Sequence, residues 1–316
     1  MSTIIAELCQ NHNGDESILN EMVHAAAEAG ADYAKIQSML ADNLAYRERF
    51  ETGTWEGERQ TAIKRPYQSE YDRLKPLDLD DEAHHRFIEE CQKAGIKPLT
   101  TAFSRSRIPF LSTLGFDAVK VASYDCASKP FLEELKPHFP HIFVSTGATY
   151  DTEIEAAAEV LGDHSFTFLH CVTIYPTPLD EMHLARFDYL KQFTPSVGFS
   201  DHSLVSRDGI KASAVALLLG ADVVERHFTV LGPDETRDGP VSINPDQLAE
   251  LVELSNMSRG DLKDWVDREV GDYSMMIGSA RRELSETELL NRDYYRGRFA
   301  SKVDDELIYN WDERPV

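Results

Sequence analysis

Asp81-Glu-Ala-His-His-Arg-Phe-Ile-Glu-Glu-Cys-Gln-Lys-Ala-Gly95-Ile-Lys97-Pro-Leu-Thr-Thr-Ala-Phe103 is the stretch on which the fold turns. Residues 81–94 space their apolar side chains as a helix does. Gly95 then stands where a helix stops, and Lys97 to Phe103 is a short run suited to a buried strand. The same order of helix, glycine and strand recurs outward in both directions. Strands are expected at Thr3–Leu8, Tyr33–Ser38, Lys97–Phe103, Ala118–Ser123, Ile142–Thr146, Phe166–Cys171, Ser196–Asp201 and Val223–Thr229. Helices are expected at Glu16–Ala29, Asp81–Ala94, Thr152–Leu161, Asp208–Leu219 and Asp246–Met257, with stops at Gly30, Gly95, Gly162 and Gly220. Repeated βα units on a right-handed path favour a closed α/β barrel, (β/α)8, over an open sheet, and no glycine-rich dinucleotide loop follows the first strand.

The 316 residues accommodate one such barrel, expected over residues 1–258, with a short extension over 259–316 holding a helix, Asp261–Val270, and a polar tail. Residues 39–80 fall outside the rhythm and are expected over the active face. Fifty-five acidic against thirty-two basic residues give a formal charge of −23, which repels nucleic acid and anionic membrane alike. Any anionic ligand then needs a local cluster of donors. The four cysteines, Cys9, Cys91, Cys126 and Cys171, are widely spaced, and three lie in apolar runs, as buried free thiols do. Free thiols imply a reducing, cytoplasmic setting, and no stretch reaches membrane-spanning length, so a soluble protein is expected.

Catalytic groups of such barrels stand at the C-terminal strand ends, and here those ends are polar. Glu7, Lys35 and Gln37, Thr101 and Phe103, Lys120, Ser123 and Asp125, Ser145, Thr173 and Tyr175, Ser200 and His202, and Glu225 and His227 fall there in turn. A charged Lys or Glu in an apolar strand is costly to bury alone, so Lys35, Lys120, Glu7 and Glu225 imply either one another or an anionic ligand. Two lysines beside Thr101, Ser123 and Ser145 make a phosphate and carboxylate cradle. His202 and His227 end neighbouring strands and could converge on one divalent ion. The histidines elsewhere are read as surface or helix residues, and His170 as a group bonded within the barrel.

In this order, Glu7 with Asn11-His12-Asn13-Gly14, Lys35-Ile36-Gln37, Thr101-Ala102-Phe103-Ser104, Lys120 with Ser123, Ser145-Thr146-Gly147, His170-Cys171 with Ile174-Tyr175-Pro176-Thr177-Pro178, Ser200-Asp201-His202 and Glu225-Arg226-His227-Phe228-Thr229 resemble the N-acetylneuraminate (sialic acid) synthase family. The resemblance implies metal-dependent condensation of phosphoenolpyruvate with a sugar aldehyde, N-acetylmannosamine or a related amino sugar. It makes His202 and His227 the metal ligands, with Mn2+ expected and Mg2+ or Co2+ as alternatives. It assigns phosphoenolpyruvate to Lys35, Thr101, Lys120, Ser123, Ser145 and Ser200, and the sugar to Gln37, Tyr175 and Asp238. Glu7 and Asp125 stand at positions of acidic groups near the reacting atoms.

The departures bear on the sugar. Thr173 stands where the family has Asn, and Asp125 where it usually has Glu. Family members usually continue into an antifreeze-like domain whose arginine reaches a partner subunit's sugar site, and with the sequence ending soon after Arg298-Phe299-Ala300 no such domain is expected here. A homo-oligomer is admitted by the resemblance. Arg237, or arginines of the 39–80 excursion such as Arg47 and Arg49, are the expected substitutes for that arginine, and N-acetylmannosamine itself is expected to be a poor acceptor. The competing readings are another metal-dependent barrel aldolase or epimerase, and a barrel that binds without catalysing.

Overall fold

The computed structural model describes residues 1–316 and contains the closed barrel. Eight parallel strands pair in chain order around the ring: β1 (Thr3–Cys9), β2 (Tyr33–Ser38), β3 (Lys97–Ala102), β4 (Ala118–Val121), β5 (His141–Ser145), β6 (Phe166–His170), β7 (Val197–Asp201) and β8 (Val223–His227), with β8 closing on β1. Each lies within two residues of its expected span.

The two-residue period of a strand divides each into an outward and an inward row. Outward residues such as Ile4, Ala6, Ile36, Val119, Val144, Phe168 and Val224 join a 59-residue apolar cluster under the helices. The inward row is layered. Ile5, Leu99, Ala118, Phe143, Leu169 and Val223 pack with Tyr33 as an apolar plug. Gly198 completes this layer because a Cβ there would stand 2.5 Å from both Leu169 Cδ2 and the Val223 carbonyl oxygen. One inward step along the strands brings Glu7, Lys35, Thr101, Lys120, Ser145, Ser200 and Glu225, all nearly or fully buried. The barrel thus carries a polar floor on an apolar plug at its C-terminal mouth.

The helix Asp81–Ala94 begins where the Asp80 side chain accepts from the Ala83 N–H at 2.7 Å, and ends at Gly95, whose φ of +76° a side chain would strain. Glu16–Glu28, Asp151–Leu161 and Pro245–Asn256 also fall at their expected places. The expected helix Asp208–Leu219 is broken instead into Val205–Asp208 and Lys211–Leu218. The break frees the Gly209 carbonyl to accept from Arg226 Nη2 at 3.1 Å. Arg226 and Asp201 belong to the outward row, are fully buried, and form an ion pair at 2.6 Å, with Ser213 Oγ donating to Asp201 at 2.6 Å.

The polar tail carries short elements of its own. After the helix Arg259–Glu269, residues 274–316 fold across the mouth, with a further helix at Glu286–Tyr295 and a hairpin of Ser301–Val303 and Glu306–Ile308. Asn291 Nδ2 donates to the Thr173 carbonyl at 2.7 Å, Arg292 Nη1 to the Ala148 carbonyl at 2.7 Å, and Asn310 Nδ2 to both the Phe103 carbonyl and Asp125 Oδ1 at 3.0 Å. These are side-chain bonds to the loops after the strands, so no amphipathic period was needed to encode them. Arg47 and Arg49 belong to the same seam. Arg47 donates to the Arg296 carbonyl at 3.0 Å with its guanidinium over Phe50, and Arg49 pairs with Asp293 at 2.7 Å, so both anchor the tail and neither enters the mouth.

Removing one partner of a buried pair leaves the other charge desolvated and alone. Asp201→Ala is expected to lower stability by about 3 to 5 kcal/mol, read from urea unfolding midpoints, because Arg226 stays buried. A loss under about 1 kcal/mol would show that the neighbouring carbonyls suffice for the guanidinium.

Candidate active site

Above the polar floor lies a cavity of about 470 Å3, within the range of small-molecule sites. Glu7, Lys35, Gln37, Thr101, Phe103, Lys120, Ser123, Asp125, Ser145, Tyr175, Ser200, His202, His227 and Asp238 all line it. Thr173 does not. It is fully buried behind the wall, its methyl group beside Gly147. A Cβ on Gly147 would stand 2.6 Å from Cys171 Sγ and from Thr173 Cγ2, so the residue's lack of a side chain lets the wall close.

The floor charges contact one another. Lys120 Nζ reaches both Glu225 oxygens at 2.8 and 2.9 Å, and Ser200 Oγ donates to Glu225 Oε1 at 2.7 Å. Lys35 is ion-paired with Glu7, donates to Thr101 Oγ1 at 2.9 Å and lies 3.5 Å from Glu225. Gln37 Nε2 donates to Glu7 Oε1 at 2.9 Å. Burial alone would raise the Glu225 carboxyl, but Lys120 and Lys35 hold it well below the carboxylate range. Burial pulls the Lys35 ammonium below its usual value, against the attraction of Glu225. The floor is therefore a balanced set of two cations and two anions facing open space.

One layer above, at the ends of β7 and β8, burial pulls both His202 and His227 down to about 3, so each imidazole is neutral at pH 7. Their rings lie 5.2 Å apart, and the His202 ring is 4.2 Å from that of Tyr175. Nδ1 of each is buried without a hydrogen-bond partner. The potential ligand atoms of Cys9, His227 and Asp238 all lie within 4.8 Å of one another. Neutral imidazoles with unpaired ring nitrogens beside a carboxylate fit a divalent cation. Cys9 was legible in the sequence only as a buried thiol, since nothing in its spacing links it to residues 218 and 229 positions on.

Asp125 closes another side. Burial pushes its carboxyl up to about 6, against the donors Asn310 and Ser128. Four arginines, Arg65, Arg73, Arg237 and Arg298, also line the cavity. Arg237 and the excursion arginines Arg65 and Arg73 fall within the expectation, and Arg298 does not. Arg73 and Arg298 share Glu70, at 3.0 and 2.8 Å, and Arg298 comes from the folded tail. Tail and 39–80 segment had no apolar pattern to reveal that they meet. Because Asn310 donates to the ionised form of Asp125, Asn310→Ala is expected to raise the Asp125 titration further above 6, as read by carboxyl carbon chemical shift. An unmoved titration would show that the bond does not bear on the acid.

Comparison with known proteins agrees with this geometry. The model of the NeuB family matches residues 22–265. N,N'-diacetyllegionaminic acid synthase of Campylobacter jejuni is 31% identical over 95% of this chain and 87% of its own length, and that of Legionella pneumophila 30% over 95% and 83%. The crystal structure of N-acetylneuraminic acid synthetase from Leptospira borgpetersenii superposes with a TM-score of 0.69 at 27% identity, covering 92% of this chain and 90% of that one. With a closed barrel, a charged floor and neutral histidines gathered in one mouth, the chain belongs to the NeuB family and is an enzyme of its sialic-acid-synthase type.

Proposed function

We propose that this enzyme condenses phosphoenolpyruvate with a sugar aldehyde, N-acetylmannosamine or a related amino sugar, to give a 2-keto-3-deoxy sugar acid and phosphate. The observation that carries the reading is the buried floor of Lys35, Lys120, Glu7 and Glu225 lining one cavity with His202 and His227. Lys35 and Lys120, with Thr101, Ser123, Ser145 and Ser200, supply the donors a phosphate and a carboxylate need. Another metal-dependent aldolase or epimerase would share the two histidines but would not need two strand lysines for a phosphoenolpyruvate.

A divalent cation held by His202 and His227, Mn2+ by the family resemblance, would act as a Lewis acid on the aldehyde oxygen. The remaining work falls to the chain. Phosphoenolpyruvate C3 forms a bond to the aldehyde carbon, whose oxygen takes up a proton, and positive charge develops at C2. Glu7, whose carboxylate faces the cavity beside Lys35, is placed to stabilise that charge. Water adds to C2 as Asp125 accepts its proton, a role suited to a carboxyl poised near 6. The C2–O bond then breaks, phosphate leaves with the electron pair, and the hydroxyl proton is lost as the ketone forms. Gln37, Tyr175 and Asp238 would hold the sugar, with Arg237, Arg73 and Arg298 as donors to its substituents. No helix is long and apolar enough to cross a membrane, and all four cysteines are free, which supports a reducing cytoplasmic setting.

The test is phosphate release from phosphoenolpyruvate by metal-stripped enzyme, with Mn2+ restored, across neutral and acylated amino-sugar aldehydes. Release is expected only with ion and aldehyde together. His227→Ala should reduce it at least about 100-fold without unfolding the barrel, N-acetylmannosamine serving less well than another amino sugar. Release without an aldehyde, or none with any aldehyde, would contradict the reading.

A further inference from the structure

Cys9 ends β1 at a place where the strand does not run straight. The pairing of β1 with β2 shifts register between Glu7 and Cys9, and Cys9 has a φ of +41°, a left-handed conformation that a non-glycine residue rarely takes. Cys91 and Cys126 sit in the main apolar cluster, but Cys9 belongs to none of the apolar clusters although it is buried. Its neighbours are polar. Its sulfur, a ring nitrogen of His227 and a carboxylate oxygen of Asp238 lie within 4.8 Å of one another, a spacing that side-chain rotation can close onto a single ion. The Nδ1 atoms of His227 and His202 are buried and unpaired, so the corner holds polar atoms with no protein partner.

We propose that Cys9 is a metal ligand, its thiolate binding the ion together with His227 and Asp238, and that this sulfur sets which ion the enzyme prefers. The inference rests on the proposed reading only for the presence of a divalent ion. Sulfur changes the donor set in a way the two histidines alone do not. Mg2+ takes oxygen ligands and would be disfavoured, whereas thiolate, imidazole and carboxylate together suit Zn2+, Co2+ or Fe2+, which such sites bind more tightly than Mn2+. Asp238 then has a second duty, since the carboxylate expected at the sugar also faces the ion. The bend at Cys9 is accounted for by the same assignment, because it turns a side chain at the end of β1 toward the end of β8 and the loop beyond it.

The test uses Co2+ with the full-length, metal-stripped protein and no substrate, so that its outcome is independent of whether condensation occurs. The wild type is expected to show a near-ultraviolet thiolate-to-cobalt charge-transfer band. Cys9→Ser should lose that band and bind Co2+ at least about 10-fold more weakly, the loss that even an outer partner of a metal site produces. Cys171→Ser, whose thiol lines the cavity and contacts Ser123 at 3.1 Å, should keep the band. Should Cys9→Ser not fold, Cys9→Gly serves instead, because glycine accepts the left-handed backbone. A cobalt spectrum without the band in the wild type, or a band and affinity unchanged in the Cys9 variant, would overturn the assignment. So would failure of the wild type to bind Co2+ at all.

Discussion

The structure depends on burying two lysines and two glutamates together at the mouth of a barrel whose next layer down is apolar. Isolated, any one of Lys35, Lys120, Glu7 and Glu225 would cost several kcal/mol of desolvation. Together they balance, and Thr101, Ser200 and Gln37 satisfy remaining atoms. A chain of net charge −23 would otherwise repel a multiply charged anion, so the locally compensated lysines are the means by which one is admitted. Such a network is weak as a source of stability, because apolar residues of similar size would fill the same space at no greater cost. Its cost is explicable if it serves the ligand.

The strand period then distributes the rest. In Ser200-Asp201-His202 and Glu225-Arg226-His227 the odd and even positions do unrelated work. Asp201 and Arg226 face outward as a buried pair that fixes the loop at Gly209. Ser200, His202, Glu225 and His227 face inward and line the cavity. A one-residue slip of either strand would exchange the two sets, placing imidazoles among helices and a guanidinium in the mouth. Architecture and chemistry are thus secured by the same register.

How much of this was legible in the sequence follows from which physical signal each part leaves. Strands backed by helices leave periodicity, and all eight were readable to within two residues. Polar groups at strand ends contradict the apolar pattern around them, which is why most of the polar side chains at the cavity floor could be named from sequence. Thr173 was included on its position along the loop, yet the loop turns its side chain into the wall. The tail left no periodic signal because Asn291, Arg292 and Asn310 reach backbone carbonyls and Asp125 by single bonds, and its apolar anchors, Tyr294 and Phe299, are isolated. For the same reason Arg47 and Arg49 were read as facing the sugar when they instead hold the tail. Cys9 was hidden by a register shift, which sequence periodicity cannot express.

The central claim is that the floor charges serve an anion and not the fold, and calorimetric titration of phosphoenolpyruvate into a Lys120→Met, Glu225→Gln double variant tests it most directly. That variant removes the pair without stranding either charge, so the barrel should remain folded. The account predicts a loss of affinity of about 10-fold or more relative to the wild type, the effect of one charge-assisted contact. Undiminished affinity in the folded variant would contradict it and return the four charges to a purely structural role.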